Sequence, residues 1–227
     1  MARRGRKRDG GAAECLARQP YRQLRNPFPA IDVLDAGQTQ RIHDASMSIL
    51  EDVGMRILDP GAAGVLETVG FRHDPSQQLV KFDRDILMDL VARAPPVATV
   101  RGYDPAKRIT MGGNAVAFAA LGGAPFVSDL DKGRRPGTLN DLQNLLKLTH
   151  TFNIMHISGG ASVEPQDIPV PVRHLDFFLS SCLISDKPWK PQGVGATRAT
   201  DALAMARILY QTDDAGLAAD PVFFVNT

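Results

Sequence analysis

The feature that most constrains this chain is a spacing. Three short apolar segments, Ile154 to Ser158, Pro188 to Val194 and Val222 to Val225, begin about 34 residues apart, close to the length of one strand–loop–helix unit. The first two run into glycines, Gly159-Gly160 and Gly193-Val194-Gly195, and an earlier segment, Val116 to Ala120, does the same at Gly122-Gly123. Between them lie helical patterns. One is capped by Thr138 and buries Leu142, Leu145, Leu146 and Thr149. The second runs from about Val172 to Leu183, with Val172, Leu175, Leu179 and Cys182 inward. The third is capped by Thr197, with Ala202, Met205, Ala206 and Leu209 inward. Strand, glycine-rich loop and helix in alternation predict an α/β fold with a parallel sheet wrapped by helices.

Two architectures fit that alternation. A doubly wound sheet needs a glycine-rich phosphate loop opening a helix, and Gly193-Val194-Gly195 falls short of one because Arg198 stands where the third glycine would be. An eight-stranded (β/α)8 barrel of the TIM type instead carries functional residues in the loops after its strands, where this chain keeps its polar and glycine-rich segments. Only about the first four strands of such a barrel are expected within 112–227. A half-barrel leaves two edges unpaired, so the chain reads as the truncated N-terminal half of a larger enzyme, inactive alone.

Upstream, residues 1–30 read as a basic, disordered tail, with Arg3, Arg4, Arg6, Lys7 and Arg8 clustered and no acid among them. Residues 31–111 read as a helical subdomain plus a β-hairpin. Its first helix is capped by Asp35, with Ile42, Ala45, Ser46, Ile49, Leu50 and Val53 on one buried face before Gly54. A second starts at Asp59-Pro60 and stops at Gly70; a third runs from about Asp83 to Ala94 with Ile86, Leu87, Leu90 and Val91 on one side. Val97 to Tyr103 and Arg108 to Met111 form the hairpin.

Charge and composition exclude several classes. Five of the 26 basic residues sit in the cluster at 3–8, and the 21 that remain are outnumbered by the 25 acidic residues, which gives no support for nucleic-acid binding. Cys15 and Cys182 are too few for a disulfide framework or a zinc site, and the histidines show no metal-ligand spacing. The weakly polar stretch from Ala115 to Val127 is broken by Gly122, Gly123 and Pro125 and does not span a bilayer. With no signal-peptide pattern, a cytoplasmic protein without membrane, nucleic-acid or metal partners is expected.

In a barrel the strand ends converge on one mouth. That brings together Gly122, Gly123, Gly160, Glu164, Gln166, Trp189 and Asn226. Paired glycines admit close approach of a ligand, or serve only turn geometry. Glu164 and Asp167 are placed to pair with a cation or act as a base, or else to cap the following helix. Trp189, the single tryptophan, offers a surface for a quaternary ammonium group, or packs in the core. His156 alternates with Met155 and Ile157 and is either a polar anchor in the barrel or a satisfied core histidine. Spacing alone ends at a barrel enzyme of unknown reaction.

Several segments resemble the trimethylamine methyltransferase family. They are Ile42-His43-Asp44-Ala45-Ser46 through Met55-Arg56, Gly122 through Leu130, Arg134-Arg135-Pro136-Gly137-Thr138 with Asp141-Leu142, Val163 through Pro169, and Arg173-His174-Leu175-Asp176. The resemblance runs nearly continuously from about residue 33 to 227. It implies a (β/α)8 barrel with an N-terminal helical extension. It also implies transfer of a methyl group from trimethylamine, or from a quaternary amine such as glycine betaine, to the cobalt of a corrinoid held by a partner protein. No cofactor is then bound by this chain itself, the substrate is a small methylated amine, and homo-oligomers stay open. The family's pyrrolysine position belongs to the second half of the barrel, so the branch is not assigned, and no catalytic residue carries over. Two other readings stand beside it: a barrel enzyme of changed reaction, and a fragment acting as a binding or assembly module.

Overall fold

Asp35, Asp59, Asp83, Thr138 and Asp213 each accept a backbone N–H at the start of a helix, and these caps set where the chain turns helical. The computed structural model describes residues 20–29 and 31–225. It is mixed α/β, with seven α-helices and small sheets among the described residues, none of the sheets closed. Most of the basic tail, residues 1–19 and 30, lies outside the described residues. Contacts divide the chain into a unit of residues 28–96 and a unit formed by 97–227 with the segment up to 27, to which strand β1 (Leu24–Arg25) belongs.

In the first unit, α1 (Ala36–Ser48) widens into a π-helical turn at Ile49–Val53, closed by the Gly54 N–H on the Ile49 carbonyl at 2.9 Å. Gly54 has φ +82°, and a Cβ there would meet the Val80 carbonyl at 2.5 Å. A three-stranded antiparallel sheet follows, made of β2 (Met55–Arg56), β3 (Arg72–Asp74) and central β4 (Leu79–Lys81), with α2 (Pro60–Thr68) and α3 (Arg84–Ala92) between and after them. Phe71, Val80 and Phe82 form its core, against Leu50, Leu66, Ile86, Leu87 and Leu90. The face of α1 differs from expectation. Met47 is buried while Ile42, Ile49 and Val53 are exposed. The helix carries apolar residues on two sides, and the cluster around Phe82, tied to the Leu50 carbonyl at 3.1 Å, selects the Met47–Leu50 side.

The second unit opens with the hairpin β5 (Val97–Arg101) and β6 (Arg108–Gly112) in the register Val97↔Gly112 to Arg101↔Arg108. Sequence grouped this hairpin with the helices before it. Its contacts lie with the later strands, because Val100 and Ile109 bury against Ile157, Tyr21 and Phe224. Strand β7 (Ala115–Val116) pairs with β1. The segment around β1 is held further by Tyr21, whose hydroxyl donates to the His156 carbonyl at 3.2 Å, and by Gln23, whose amide exchanges two bonds with the Thr110 backbone.

Extended segments then lie side by side in parallel. Ala119 bridges Ile157, the Ser158 N–H donates to the Pro188 carbonyl at 3.0 Å, and Trp189 bridges Phe223. Between the first two sits a second hairpin, β8 (Phe126–Asp129) and β9 (Gly133–Pro136), which sequence left as loop. Arg135 pairs with Asp141 in the first turn of α4 (Leu139–Thr151), so the hairpin fastens the helix start. The Arg135 guanidinium also holds the Asp141 carboxyl well below the usual carboxylate range.

The core lies between the strands and the helices α4, α5 (Arg173–Ile184), α6 (Ala196–Tyr210) and α7 (Asp214–Ala219). Leu142, Leu146 and Thr149 of α4 are buried as expected. In α5 the inward face is His174, Phe177, Phe178 and Ser181, whereas Val172, Leu175 and Leu179 are exposed. Two adjacent phenylalanines bury more area than the leucine stripe, and Ser180 and Ser181 are small enough for the helix to seat closely. Helix α6 starts two residues early: Gly195 occupies the cap position, and Thr197 lies within the first turn.

Candidate site in the second unit

Successive side chains of a strand point to opposite faces, and the last strands use this to separate core from cavity. Trp189 is 3% exposed, with its ring 5.5 Å from Phe178 and 5.3 Å from Phe223, on the side of the helices. Lys190, Gln192 and Phe224 line a cavity of about 860 Å³ instead. Met111, Ala119 and Ile157 contribute apolar wall, and Gly122, Gly123, Gly159 and Gly160 line it where the first two strands end. Glu164, Val194 and Arg198 complete the polar and outer parts. That size and mixture suit a small organic ligand.

The polar side chains are linked in series. Gln192 Nε2 donates to Glu164 Oε1 at 2.6 Å, and Arg198 Nη1 donates to Gln192 Oε1 at 3.0 Å. One amide therefore presents its donor to a carboxylate and its acceptor to a guanidinium. Glu164 is positioned by its own N–H on the Ala124 carbonyl at 2.8 Å, and its loop by the Gln166 N–H on the Gly137 carbonyl at 2.8 Å. The glycine loops are interlocked: Gly123 donates to the Ala161 carbonyl at 2.7 Å, and a Cβ on Gly122 would lie 3.4 Å from that oxygen. Gly159 is required by geometry, since it has φ +80° and a Cβ there would approach the Ala120 carbonyl to 2.6 Å.

Of the residues singled out from sequence, Glu164, Gly122, Gly123 and Gly160 meet at this cavity. Trp189, His156 and Gln166 do not line it. Trp189 takes the core position just described. His156 is fully buried, its Nδ1 accepting from the Phe118 N–H at 3.0 Å and its Nε2 2.9 Å from the Arg22 carbonyl, so both ring nitrogens are used by backbone. Gln166 folds back on the Glu164 carbonyl at 3.0 Å. Asn226 lies outside the described residues. Asp167 is a helix cap, but of α4 rather than of the helix that follows it: its carboxylate accepts from the Leu139 N–H at 2.9 Å. Burial pushes the Cys182 thiol up to about 11, which unsuits it as a nucleophile.

Lys190, Gln192 and Arg198 were not singled out as ligand residues by the sequence. A signal for the first two exists in the alternation Trp189, Lys190, Pro191, Gln192, where buried and polar positions interleave at period two. Arg198 was noticed only as the residue that spoils a phosphate motif. Among the described residues no group of three or more His, Cys, Asp or Glu side chains is placed to hold a metal ion, and no helix is long and apolar enough to cross a membrane.

The described residues thus form a mixed α/β unit with a glycine-lined cavity beside parallel-bridged segments, and comparison with known proteins specifies its family. The family description "Trimethylamine methyltransferase (MTTB)" matches residues 2–227. The chain is 35% identical over 187 residues to a glycine betaine methyltransferase of Desulfitobacterium hafniense, covering 82% of this chain and 39% of that protein. It is 27% identical over 128 residues to a trimethylamine methyltransferase from another strain of the species, covering 56% and 26% of the two chains. This chain belongs to the trimethylamine methyltransferase family. It spans well under half the length of these curated relatives.

Proposed function

We propose that this chain forms the N-terminal half of a (β/α)8 barrel enzyme that removes a methyl group from a methylated amine and passes it to a corrinoid protein in the cytoplasm, and that the cavity described here holds the amine. The observation that carries this reading is the cavity itself: a Glu164 carboxylate fixed by Gln192, glycines without Cβ atoms, and apolar walls, all at the ends of neighbouring strands.

The chemistry asks little of the protein beyond position and electrostatics. The N–CH3 bond breaks with its electron pair left on nitrogen, so the substrate nitrogen loses its positive charge as the methyl departs. A corrinoid held by a partner protein would, when bound, supply the electron pair for the new bond to the methyl group. The side chains of this chain hold the starting cation and aim it. Glu164 faces the ammonium charge, Gly122 and Gly160 let N-methyl groups approach the backbone, and Ile157, Val194 and Phe224 keep water from the N–CH3 bond.

The test is calorimetric titration of the intact protein with glycine betaine and trimethylamine, alongside methyl transfer to a corrinoid protein. Binding and transfer of one of these amines, both weakened at least tenfold by Glu164→Gln, are expected. Full activity of Glu164→Gln places the amine elsewhere.

A further inference from the structure

The faces of α4 and α5 turned away from the core carry a pattern that the cavity does not use. The two helices run parallel: Gln143 donates to Ser180 Oγ at 3.3 Å midway along them, and His150 lies 3.3 Å from Asp186 near where both end. A groove of about 300 Å³ separates them, lined by Leu139 and Lys147 of α4 and by Asp176, Leu179 and Leu183 of α5. Leu179 and Leu183 are 48% and 76% exposed and continue an apolar stripe from Leu175. The charges are unspent. Asp176 forms no hydrogen bond or ion pair with any described residue, and Lys147 reaches Asn144 of its own helix at 3.5 Å. Because Gln143 is level with Ser180, the groove has four distinct corners. Leu139 holds the N-terminal end of α4 and Lys147 stands toward its C-terminal end, while Asp176 and Leu183 hold the same places on α5. Lys147 is therefore diagonal to Asp176, and Leu139 is diagonal to Leu183.

We propose that a second copy of this chain docks on the groove, about a two-fold axis that enters it at the Gln143–Ser180 contact. The inference is independent of the amine reading of the cavity. Such an axis exchanges diagonal corners, so Lys147 of each copy meets Asp176 of the other, and Leu139 meets Leu183. Charge complementarity selects this occupant: a face with one positive and one negative corner on a diagonal is its own complement. It also selects the orientation. A two-fold axis running along the helices would set Lys147 against Leu183 and Asp176 against Leu139, desolvating both charges without partners. The apolar stripe gives the contact its driving force, since leucines at this exposure gain by leaving water. Helices of 13 and 12 residues are about 18–20 Å long, and laid on their counterparts they make a four-helix contact at the low end of the size range of specific interfaces. The association is therefore concentration-dependent and weakened by salt.

The test is sedimentation equilibrium of the intact protein over micromolar concentrations, with charge reversals at the two corners. A dimer is expected in the parent. Lys147→Glu and Asp176→Lys should each weaken it at least tenfold, because each sets like charges against one another at both contacts. An equimolar mixture of these two variants, one of them dye-labelled, should form a mixed dimer close to parent strength, since both contacts then pair opposite charges. The double variant should recover in the same way. Leu183→Glu, at an exposed position and checked for folding by circular dichroism, should leave monomer. A parent that is monomeric throughout overturns the proposal and leaves the face to a different macromolecule. A dimer indifferent to all three single variants uses another surface, which overturns it equally. If the single reversals weaken the dimer but their mixture does not restore it, the two residues do not face each other across copies and the two-fold docking fails.

Discussion

The Lys187 ammonium, in a side chain only 1% exposed, donates to the carbonyl of Thr149 at 2.5 Å, and a second bond reaches the Phe152 carbonyl at 2.8 Å. Lys187 thus closes the C-terminal end of α4 from the strand that follows α5. Burial, with Lys107 nearby, pushes its pKa down to about 8. Replacing it with Met orphans two carbonyls, and a loss of about 1–3 kcal/mol in denaturant-determined stability is expected. Unfolded chains hold this proton to about 10.4. From about pH 8 upward the unfolded state therefore binds more protons than the folded one, and the group's contribution to stability rises with pH through that window. Parent and Lys187→Met melts at pH 7.5 and 9.5 should differ by more at the higher pH; parallel curves would refute the assignment.

The segment around β1 is a fastening for the parallel strands. His156→Leu removes the acceptor of the Phe118 N–H and the partner of the Arg22 carbonyl, and Tyr21→Phe removes one bond to the His156 carbonyl. Chemical denaturation should show losses of roughly 2–4 kcal/mol and roughly 1 kcal/mol respectively. Amine affinity of the folded fraction should stay within twofold of the parent. A specific loss of affinity in His156→Leu would return that ring to the site.

Two glycines at the cavity should respond differently to the same methyl group. Gly159→Ala forces a side chain onto φ +80° and to 2.6 Å from a carbonyl, which is expected to cost about 2 kcal/mol or more. Gly122→Ala meets its nearest atoms at 3.4 Å, an ordinary contact, and should fold. Gly122→Val then adds bulk to the cavity wall and should reduce ligand affinity with the fold kept. Thermal melts paired with titration separate the two cases.

Trp189 provides the complementary control. Trp189→Ala opens a hole between Phe178 and Phe223 and should lose about 3–5 kcal/mol. If a stabilised Trp189→Ala bound glycine betaine tenfold more weakly, an indole contact with the ligand would have to be reinstated.

What sequence could reveal follows the range of the interactions involved. Asp35, Asp59, Asp83 and Thr138 were legible because a cap bonds to residues two or three along the chain. The face of a helix is a tertiary choice when apolar residues surround it, and for that reason the orientations of α1 and α5 were misread. Hairpin β8–β9 was missed because its strands are mostly exposed and charged, carrying Asp129, Arg134 and Arg135 in place of an apolar alternation. Asp167 looked like a cap, but its partner N–H at Leu139 is 28 positions away, and only the folded loop brings them together. At the site, glycines and Glu164 stood out as residue types. Trp189 was open between a ligand surface and the core and takes the core side, while Lys190, one step along the segment, lines the cavity.

The chain Glu164, Gln192, Arg198 makes position 192 a lever over both charges at once. A side-chain amide is neutral and can serve an anion and a cation together. Glutamate there would keep Arg198 and repel Glu164, while lysine would do the reverse. The charge balance of this cavity is therefore adjustable from a strand position that carries no charge itself, without rebuilding either loop.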